Sequence, residues 1–287
     1  MRLDDALAQA ATHLGVQGVE SPRLDAELLL GHVLGANRAA ILARPEQQLT
    51  PKQLTRYRGL VVRRGNREPL AYITGHREFF GLDILVDHRV LIPRPETELL
   101  VEHALELASR MADPLQIADV GAGSGAIAVS LAVRLPHATL YALDSSADAL
   151  EMVAENARHH QVADRVRCLH GDLLSALPGA VDLITANLPY VTTGEWQELA
   201  PEIRDYEPRS ALDGGPDGLD LIDRLLATAG ACLRPAGAVL LEIGAGQGVA
   251  ATALARKHFS QARVQLIQDY AGLDRLVIVD TGSPSGI

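Results

Sequence analysis

Hydrophobic positions at the start of the chain recur at helical spacing. Leu3, Leu7, Ala10 and Leu14 share one face, which predicts an amphipathic helix. Ser21-Pro22 then supplies an N-cap residue and a first-turn proline for a second helix through Leu34, and Thr50-Pro51 repeats that punctuation for a third main helix through about Arg64. Residues 1–70 therefore read as a small helical domain without strands, and nothing in it looks catalytic. After Tyr72 the period changes. His76–Phe80 and Leu82–Val86 are short β-rich runs punctuated by Gly75 and Gly81, so residues 71–91 read as a β-hairpin linker. In residues 92–287, apolar β-rich runs alternate with helical stretches: Gln116–Val120, Thr139–Leu143, Val166–Leu169, Val181–Thr185, Val239–Ile243, Val264–Ile267 and Leu276–Val279. Continuous apolar strands separated by helices imply an α/β fold with a parallel sheet covered on both faces. Only Gln268–Arg275 separates the last two runs. That is too short for a parallel crossover, so they are expected to pair antiparallel.

Composition narrows the class without naming it. The 287 residues are 47% hydrophobic and 22% charged, which suits a globular chain with one large and one smaller domain. The net charge of −10 offers no overall attraction to a phosphate backbone, so direct nucleic-acid binding is not expected. The opening stretch carries Asp4 and Asp5 where a signal peptide is basic, and no run approaches the ~20 apolar residues of a membrane span. A cytoplasmic protein without a membrane anchor is expected. Two cysteines, Cys168 and Cys232, lack the spacing of a thiolate metal site and are expected to serve as small core hydrophobes. The ten histidines are scattered and no metal is implied.

Three segments carry candidate chemistry. Asp119-Val-Gly-Ala-Gly-Ser-Gly125 follows the first strand of the sheet and precedes a helix near Ala126. In it Gly121, Ala122, Gly123, Ser124 and Gly125 form a loop where bare backbone can approach a ligand and a helix N-terminus offers N–H donors. Asp144 ends the next strand about 20 residues later, where an acid accepts ribose hydroxyls. An adenosine-containing ligand is expected, although the same spacing also fits a dinucleotide fingerprint or a plain strand-to-helix turn. Glu242-Ile-Gly-Ala-Gly-Gln-Gly248 repeats the spacing, but no further βαβ unit follows to complete a second nucleotide site. The third segment is Asn187-Leu-Pro-Tyr190, directly after the strand Val181–Thr185. Read as a plain polar loop, Asn187 makes an Asx-turn and Tyr190 is half buried.

Asn187-Leu188-Pro189-Tyr190 resembles the Asn-Pro-Pro-Tyr loop of amino methyltransferases, which holds a planar nitrogen against a methyl donor. The lone pair of an amide nitrogen is delocalised, so it attacks a sulfonium methyl only when acceptors on its two N–H bonds bias its geometry. The Asn187 side-chain oxygen and the Leu188 carbonyl are the candidates, with the Tyr190 ring packed on the planar group. Further stretches extend the likeness along the chain: Pro69–Gly75 with Arg77–Gly81, Ile92-Pro-Arg-Pro-Glu-Thr-Glu98, Tyr206-Glu-Pro-Arg209 with Ala211–Gly218, and Leu241–Gly244. In all of them the chain resembles the HemK-type release-factor glutamine methyltransferases. That resemblance implies a Rossmann-like class I methyltransferase sheet of seven strands with the last antiparallel. It also implies S-adenosyl-L-methionine as cofactor and a helical N-terminal domain that engages class I peptide chain release factors, whose Gly-Gly-Gln glutamine is methylated.

By the same resemblance Arg94, Glu96 and Thr97 cover the cofactor pocket, with Arg94 and Thr97 on the substrate side, while Asp172 and Leu173 sit where related enzymes contact adenine. Read alone, Arg94 to Thr97 simply start a helix. Leu188 stands where the family usually has proline, and the sequence leads one to expect proline to be tolerated there. Asn-Leu-Pro-Tyr is also typical of ribosomal-RNA adenine dimethyltransferases, which stand as the alternative reading; the acidic balance and the remaining segments weigh against it. An oxidoreductase with a nicotinamide cofactor and a non-catalytic adaptor are more distant alternatives.

Overall fold

The computed structural model describes residues 1–282, and the chain divides into two compact units. The first comprises Met1–His76 together with a returning segment, Ala200–Tyr206. Its helices are α1 (Leu3–Val16), α2 (Pro22–Leu34), α3 (Arg38–Leu42), α4 (Pro51–Gly65) and α5 (Leu70–Thr74). Leu3, Leu7, Ala10 and Leu14 of α1 are all buried against Ala26, Leu29, Leu30, Tyr57 and Val61. The proline at N1 marks the start of α2, while Ser21 makes no side-chain cap bond. Thr50 and Gln53 close α4 with a reciprocal capping box. The returning segment contributes a short helix, α10 (Pro201–Arg204), whose Glu202 accepts Arg64 at 3.1 Å and Arg67 at 2.6 Å. Arg64 in turn binds the buried Asp25 at 2.6 Å, so three elements distant in sequence share one ion network.

The second unit comprises Arg77–Leu199 and Glu207–Ile287. It opens within the hairpin of β1 (His76–Phe79) and β2 (Leu82–Leu85), a separate two-stranded sheet whose first residue, His76, still belongs to the first unit. The main sheet contains β3 (Gln116–Val120), β4 (Thr139–Asp144), β5 (Val166–His170), β6 (Val181–Ala186), β7 (Leu233–Glu242), β8 (Arg263–Gln268) and β9 (Asp274–Asp280). Their order is β5-β4-β3-β6-β7-β9-β8. β3, β4, β5, β6 and β7 pair in parallel, while β9 runs antiparallel to both β7 and β8. The expected antiparallel end of the sheet is therefore present. β9 is inserted between the two strands it opposes.

Helices cover both faces. One group is α6 (Glu98–Ala108), α7 (Ala126–Arg134) and α8 (Ala147–His159); the other is α11 (Asp220–Cys232) and α12 (Gly248–His258), and a short α9 (Thr193–Trp196) follows β6. The strands alternate accordingly. Ala118, Val120, Ile184, Ala186, Val239 and Leu241 pack with Ile222, Leu225 and Ala251 on the α11–α12 side. Asp119 and Thr185 therefore point the other way, beneath α7. One sequence expectation fails here. Cys168 is exposed rather than a core residue, because β5 is an edge strand with only part of its surface covered.

Candidate functional site

A cleft of about 370 Å³ opens at the carboxyl ends of β3, β4 and β6, on either side of the point where the strand order reverses. Gly121, Ala122, Gly123, Ser124, Asp144, Asp172, Leu173, Asn187, Leu188, Pro189, Arg94 and Thr97 all line it. Two expected contacts fall outside that lining. Gly125 turns toward α8, where a Cβ would meet Val153 at 3.1 Å, and its N–H is spent on the Ala122 carbonyl. Tyr190 lies behind the cleft, with its hydroxyl donating to Glu242 at 3.3 Å.

The glycine loop is held open by its own neighbours. Gly123 has φ +53, and a Cβ there would have only the Gly121 carbonyl within 4.0 Å. Asp144 accepts the Gly123 N–H through Oδ2 and the Ser146 N–H through Oδ1, both at 2.9 Å. Each carboxylate oxygen keeps a lone pair for a further donor. Below the loop, fully buried Asp119 accepts the Ala128 N–H at 3.1 Å and the Thr185 hydroxyl at 3.0 Å. Burial pushes its carboxyl up to about 7 despite those two bonds. Leu173 holds φ +49 at the opposite wall, and Asp172 beside it is ion-paired with Arg224.

Sequence reasoning missed several residues that set this geometry. Asn156 on α8 is fully buried; its amide nitrogen donates to the Leu85 and Ser124 carbonyls, both at 2.9 Å, and its oxygen accepts the Leu85 N–H at 2.8 Å. It thereby ties the hairpin to the glycine loop. Glu207, 5% exposed, accepts the Ile92 N–H at 3.1 Å and Arg94 at 2.6 Å, latching the Ile92–Thr97 segment over the cleft. His88, Arg89, Val90, Pro208 and Ser210 add to the same wall. No periodicity or motif marks His88, Arg89, Val90, Asn156 or Ser210, and the Tyr206–Arg209 stretch that holds Glu207 and Pro208 does not show by itself what they contact.

The Asn187–Tyr190 loop is packed from behind by two glycine-rich segments. A Cβ at Gly214 would collide with the Pro189 carbonyl, and one at Gly218 with the Tyr190 carbonyl. Gln247, from the second glycine loop, donates to the Tyr190 carbonyl at 2.9 Å and accepts the Gly244 N–H at 2.8 Å. None of Gly244 to Gly248 lines the cleft, so this loop supports the tetrapeptide instead of forming a second cradle. Within the tetrapeptide, Leu188 is only 4% exposed and packs in the sheet core. The Asn187 amide nitrogen donates to the Thr97 hydroxyl oxygen at 3.0 Å, and among the described residues no donor meets the Asn187 side-chain oxygen.

A parallel sheet with this strand order, an antiparallel β9, and a glycine loop and acidic strand end opposite an Asn-x-Pro-Tyr loop defines a class I methyltransferase. A solved methyltransferase from Pyrococcus furiosus has the same fold, with a TM-score of 0.52 at 18% identity, covering 71% of this chain and 91% of that one. Residues 5–75 match the family model of the PrmC N-terminal domain, and residues 95–203 match that of the methyltransferase small domain. The chain is 47% identical to the release factor glutamine methyltransferase of Moorella thermoacetica, over 96% of this chain and 97% of that protein. It is 40% identical to the release factor glutamine methyltransferase of Deinococcus radiodurans, over 96% and 98%. The chain belongs to the release factor glutamine methyltransferase family.

Proposed function

We propose that this chain transfers a methyl group from S-adenosylmethionine to the side-chain amide nitrogen of the glutamine in the Gly-Gly-Gln loop of class I peptide chain release factors. One observation carries the reading. The cleft runs without interruption from Asp144 and the glycine loop to Asn187, Leu188 and Pro189, in a chain whose relatives bear that activity in their names. The residues at the first end fit an adenosine-bearing group: bare backbone at Gly121 and Gly123, and an Asp144 carboxylate with acceptor capacity to spare. S-adenosylmethionine supplies there a methyl group on a positively charged sulfur, which keeps the bonding electron pair when the methyl leaves.

At the other end the chain's own groups prepare the nitrogen. The Asn187 oxygen and the Leu188 carbonyl take the two amide hydrogens, localising the lone pair and aiming it along the cleft. The proton lost from nitrogen passes to Asn187 or to solvent, so positioning rather than a strong base supplies most of the rate. Tyr190 acts from behind, anchoring the loop through Glu242 and Gln247. Arg94 and Thr97 form the lid over this end, and Asp172 with Leu173 bounds the adenine side.

Residues 1–70 are the docking domain in this reading, joined through a 71–91 hairpin to the catalytic part, since a short loop buries too little area to supply affinity alone. Direct nucleic-acid binding is no part of it, and the setting is the cytoplasm. No helix among the described residues is long and apolar enough to cross a membrane. The test is transfer of labelled methyl to an intact release factor, located by peptide mass spectrometry. Label on the loop glutamine, absent when that glutamine is alanine, is the expected result. Equal labelling of the alanine factor, or preferential labelling of ribosomal RNA, overturns the reading and promotes the adenine methyltransferase.

A further inference from the structure

Asn156, on α8, is fully buried and spends its side-chain amide on two segments far apart in the chain. Its nitrogen donates to the Leu85 carbonyl and to the Ser124 carbonyl, both at 2.9 Å, and its oxygen accepts the Leu85 N–H at 2.8 Å. Both amide hydrogens are used, and a carboxylate or an alkyl group of similar shape supplies neither. The Ser124 end of this clamp is stiff. The peptide unit joining Ser124 to Gly125 is held by its carbonyl at Asn156 and by its N–H at the Ala122 carbonyl, 2.7 Å away. α8 also packs so closely that a Cβ at Gly125 would lie 3.1 Å from Val153. The Leu85 end is stiff as well. Only Val86 and Asp87 separate Leu85 from His88. The Asp87 carboxylate accepts the Arg89 N–H at 3.0 Å and its guanidinium at 2.8 Å, while the Asp87 carbonyl takes the Val90 N–H at 3.1 Å. Arg89 then reaches Glu155, the neighbour of Asn156 on α8, at 3.2 Å.

The two clamped segments come together again in the cleft. Gly121 to Ser124 form one part of its lining and His88 to Leu91 another, while Asn156, which holds both, is outside the lining. Loss of the clamp frees the glycine loop and the wall to shift independently. We propose that Asn156 is a positioning residue for the cofactor, which registers the His88–Leu91 wall against the glycine loop and so ties cofactor affinity to the order of β2. A ligand that needs both parts of the lining favours the closed clamp, and by linkage its binding tightens the clamp in return. The proposal rests on the glycine loop as the cofactor site in the reading above, and adds to it a residue outside the cleft.

Full-length Asn156→Leu, Asn156→Asp and His160→Ala proteins test it. Asn156→Leu removes the whole clamp, and Asn156→Asp keeps an acceptor for the Leu85 N–H but loses both donors. His160→Ala is the control: it cuts the other bond from this end of α8 to the hairpin, between His160 Nε2 and the Asp83 carbonyl at 2.9 Å, and leaves the clamp whole. By calorimetry both Asn156 variants should bind S-adenosylhomocysteine about tenfold or more weakly, the scale of a buried hydrogen bond left unmade, with His160→Ala within about twofold of wild type. Amide hydrogen exchange supplies a measurement that needs no variant to fold. In wild type, saturating S-adenosylhomocysteine should slow exchange of the Leu85 N–H. In Asn156→Asp that slowing should be lost at saturation while the amides of β3 and β6 exchange as in wild type. A merely structural role for Asn156 speeds exchange throughout the sheet instead and leaves the affinity of the folded protein unchanged. Wild-type affinity in Asn156→Asp overturns the proposal, as does an equal loss in His160→Ala or a Leu85 N–H indifferent to the ligand in wild type. Failure of wild type to bind S-adenosylhomocysteine strikes the cofactor reading and this proposal with it, whereas unchanged affinity in the variants strikes the proposal alone.

Discussion

The Asp144 carboxylate accepts the backbone N–H of Gly123 at 2.9 Å, so the acid that ends β4 also holds the crest of the glycine loop. Its second oxygen binds the Ser146 N–H at the start of α8. Replacement by alanine therefore removes a ribose acceptor and loosens the loop at once. Asp144→Ala should weaken S-adenosylmethionine binding by about 1.5–3 kcal/mol, the scale of a hydrogen bond to a charged group. Asp144→Asn, which retains one acceptor oxygen, should fall between. Titration calorimetry checks both, and an unchanged dissociation constant for Asp144→Ala places the cofactor elsewhere.

Elements marked by local pattern were legible in the sequence, and residues marked only by distant partners were not. The runs Gln116–Val120 and Val181–Thr185 are apolar because both sheet faces are covered, and the structure sets them side by side as β3 and β6. β7 was legible only from Val239. Its first half carries Pro235, Ala236 at φ +65 and a register shift against β6, so no apolar alternation announces it. Asn187 to Pro189 stood out by motif, whereas Glu207 and Glu242 lay within stretches that carry the family likeness without any sign of their partners. Glu207 meets the Ile92 N–H across 115 residues, a pairing that only the fold creates. Leu188 read as a loop residue because burial of a loop side chain leaves no trace in a four-residue string.

That burial changes the expectation for Leu188→Pro. The residue belongs to the same core cluster as Leu219 and Ile243, and its Cδ2 lies 3.0 Å from the position a Cβ would take at Gly121. Proline keeps the carbonyl that would accept the substrate hydrogen, so chemistry should continue. It loses branched methyl groups from a buried side chain, and the cost should be about 1–3 kcal/mol, within the range for shortened core side chains. Urea denaturation measures it. A variant as stable as the parent shows that the loop repacks.

Arg94 and Glu207 should be coupled in stability. Burial raises the Glu207 pKa, and Arg94 at 2.6 Å draws it back. Arg94→Met leaves a buried acid with only the Ile92 N–H, which should cost about 2–4 kcal/mol, discounted because Arg94 is partly exposed. Adding Glu207→Gln to that variant keeps an acceptor for Ile92 without a charge, and should restore part of the loss. A double-mutant cycle in denaturant checks this. A double variant less stable than Arg94→Met means that the pair is not coupled.

Asp119 gives the fold a pH dependence of definite sign. Its carboxyl ordinarily titrates near 3.8, and in the folded chain burial pushes it up to about 7. Between those values the folded state holds a proton that the unfolded state has released, so this group's contribution to stability falls as pH rises. Well below pH 3.8 both states are protonated and the penalty vanishes. Above about pH 8 both are ionised and it is constant. Glu242 titrates upward in the same window for the same reason, so the wild-type curve alone does not isolate Asp119. Asp119→Asn does. The amide oxygen can still accept the Ala128 N–H, and Thr185 can turn its hydrogen fully to the Ala118 carbonyl, which it already approaches at 3.4 Å. Relative to wild type, the variant should therefore gain stability steadily from pH 4 to pH 7, on the order of 2–4 kcal/mol in total, and the difference should then level off. Thermal melts of both proteins across that range measure the difference directly, and a flat difference means that Asp119 titrates alike in the folded and unfolded chain.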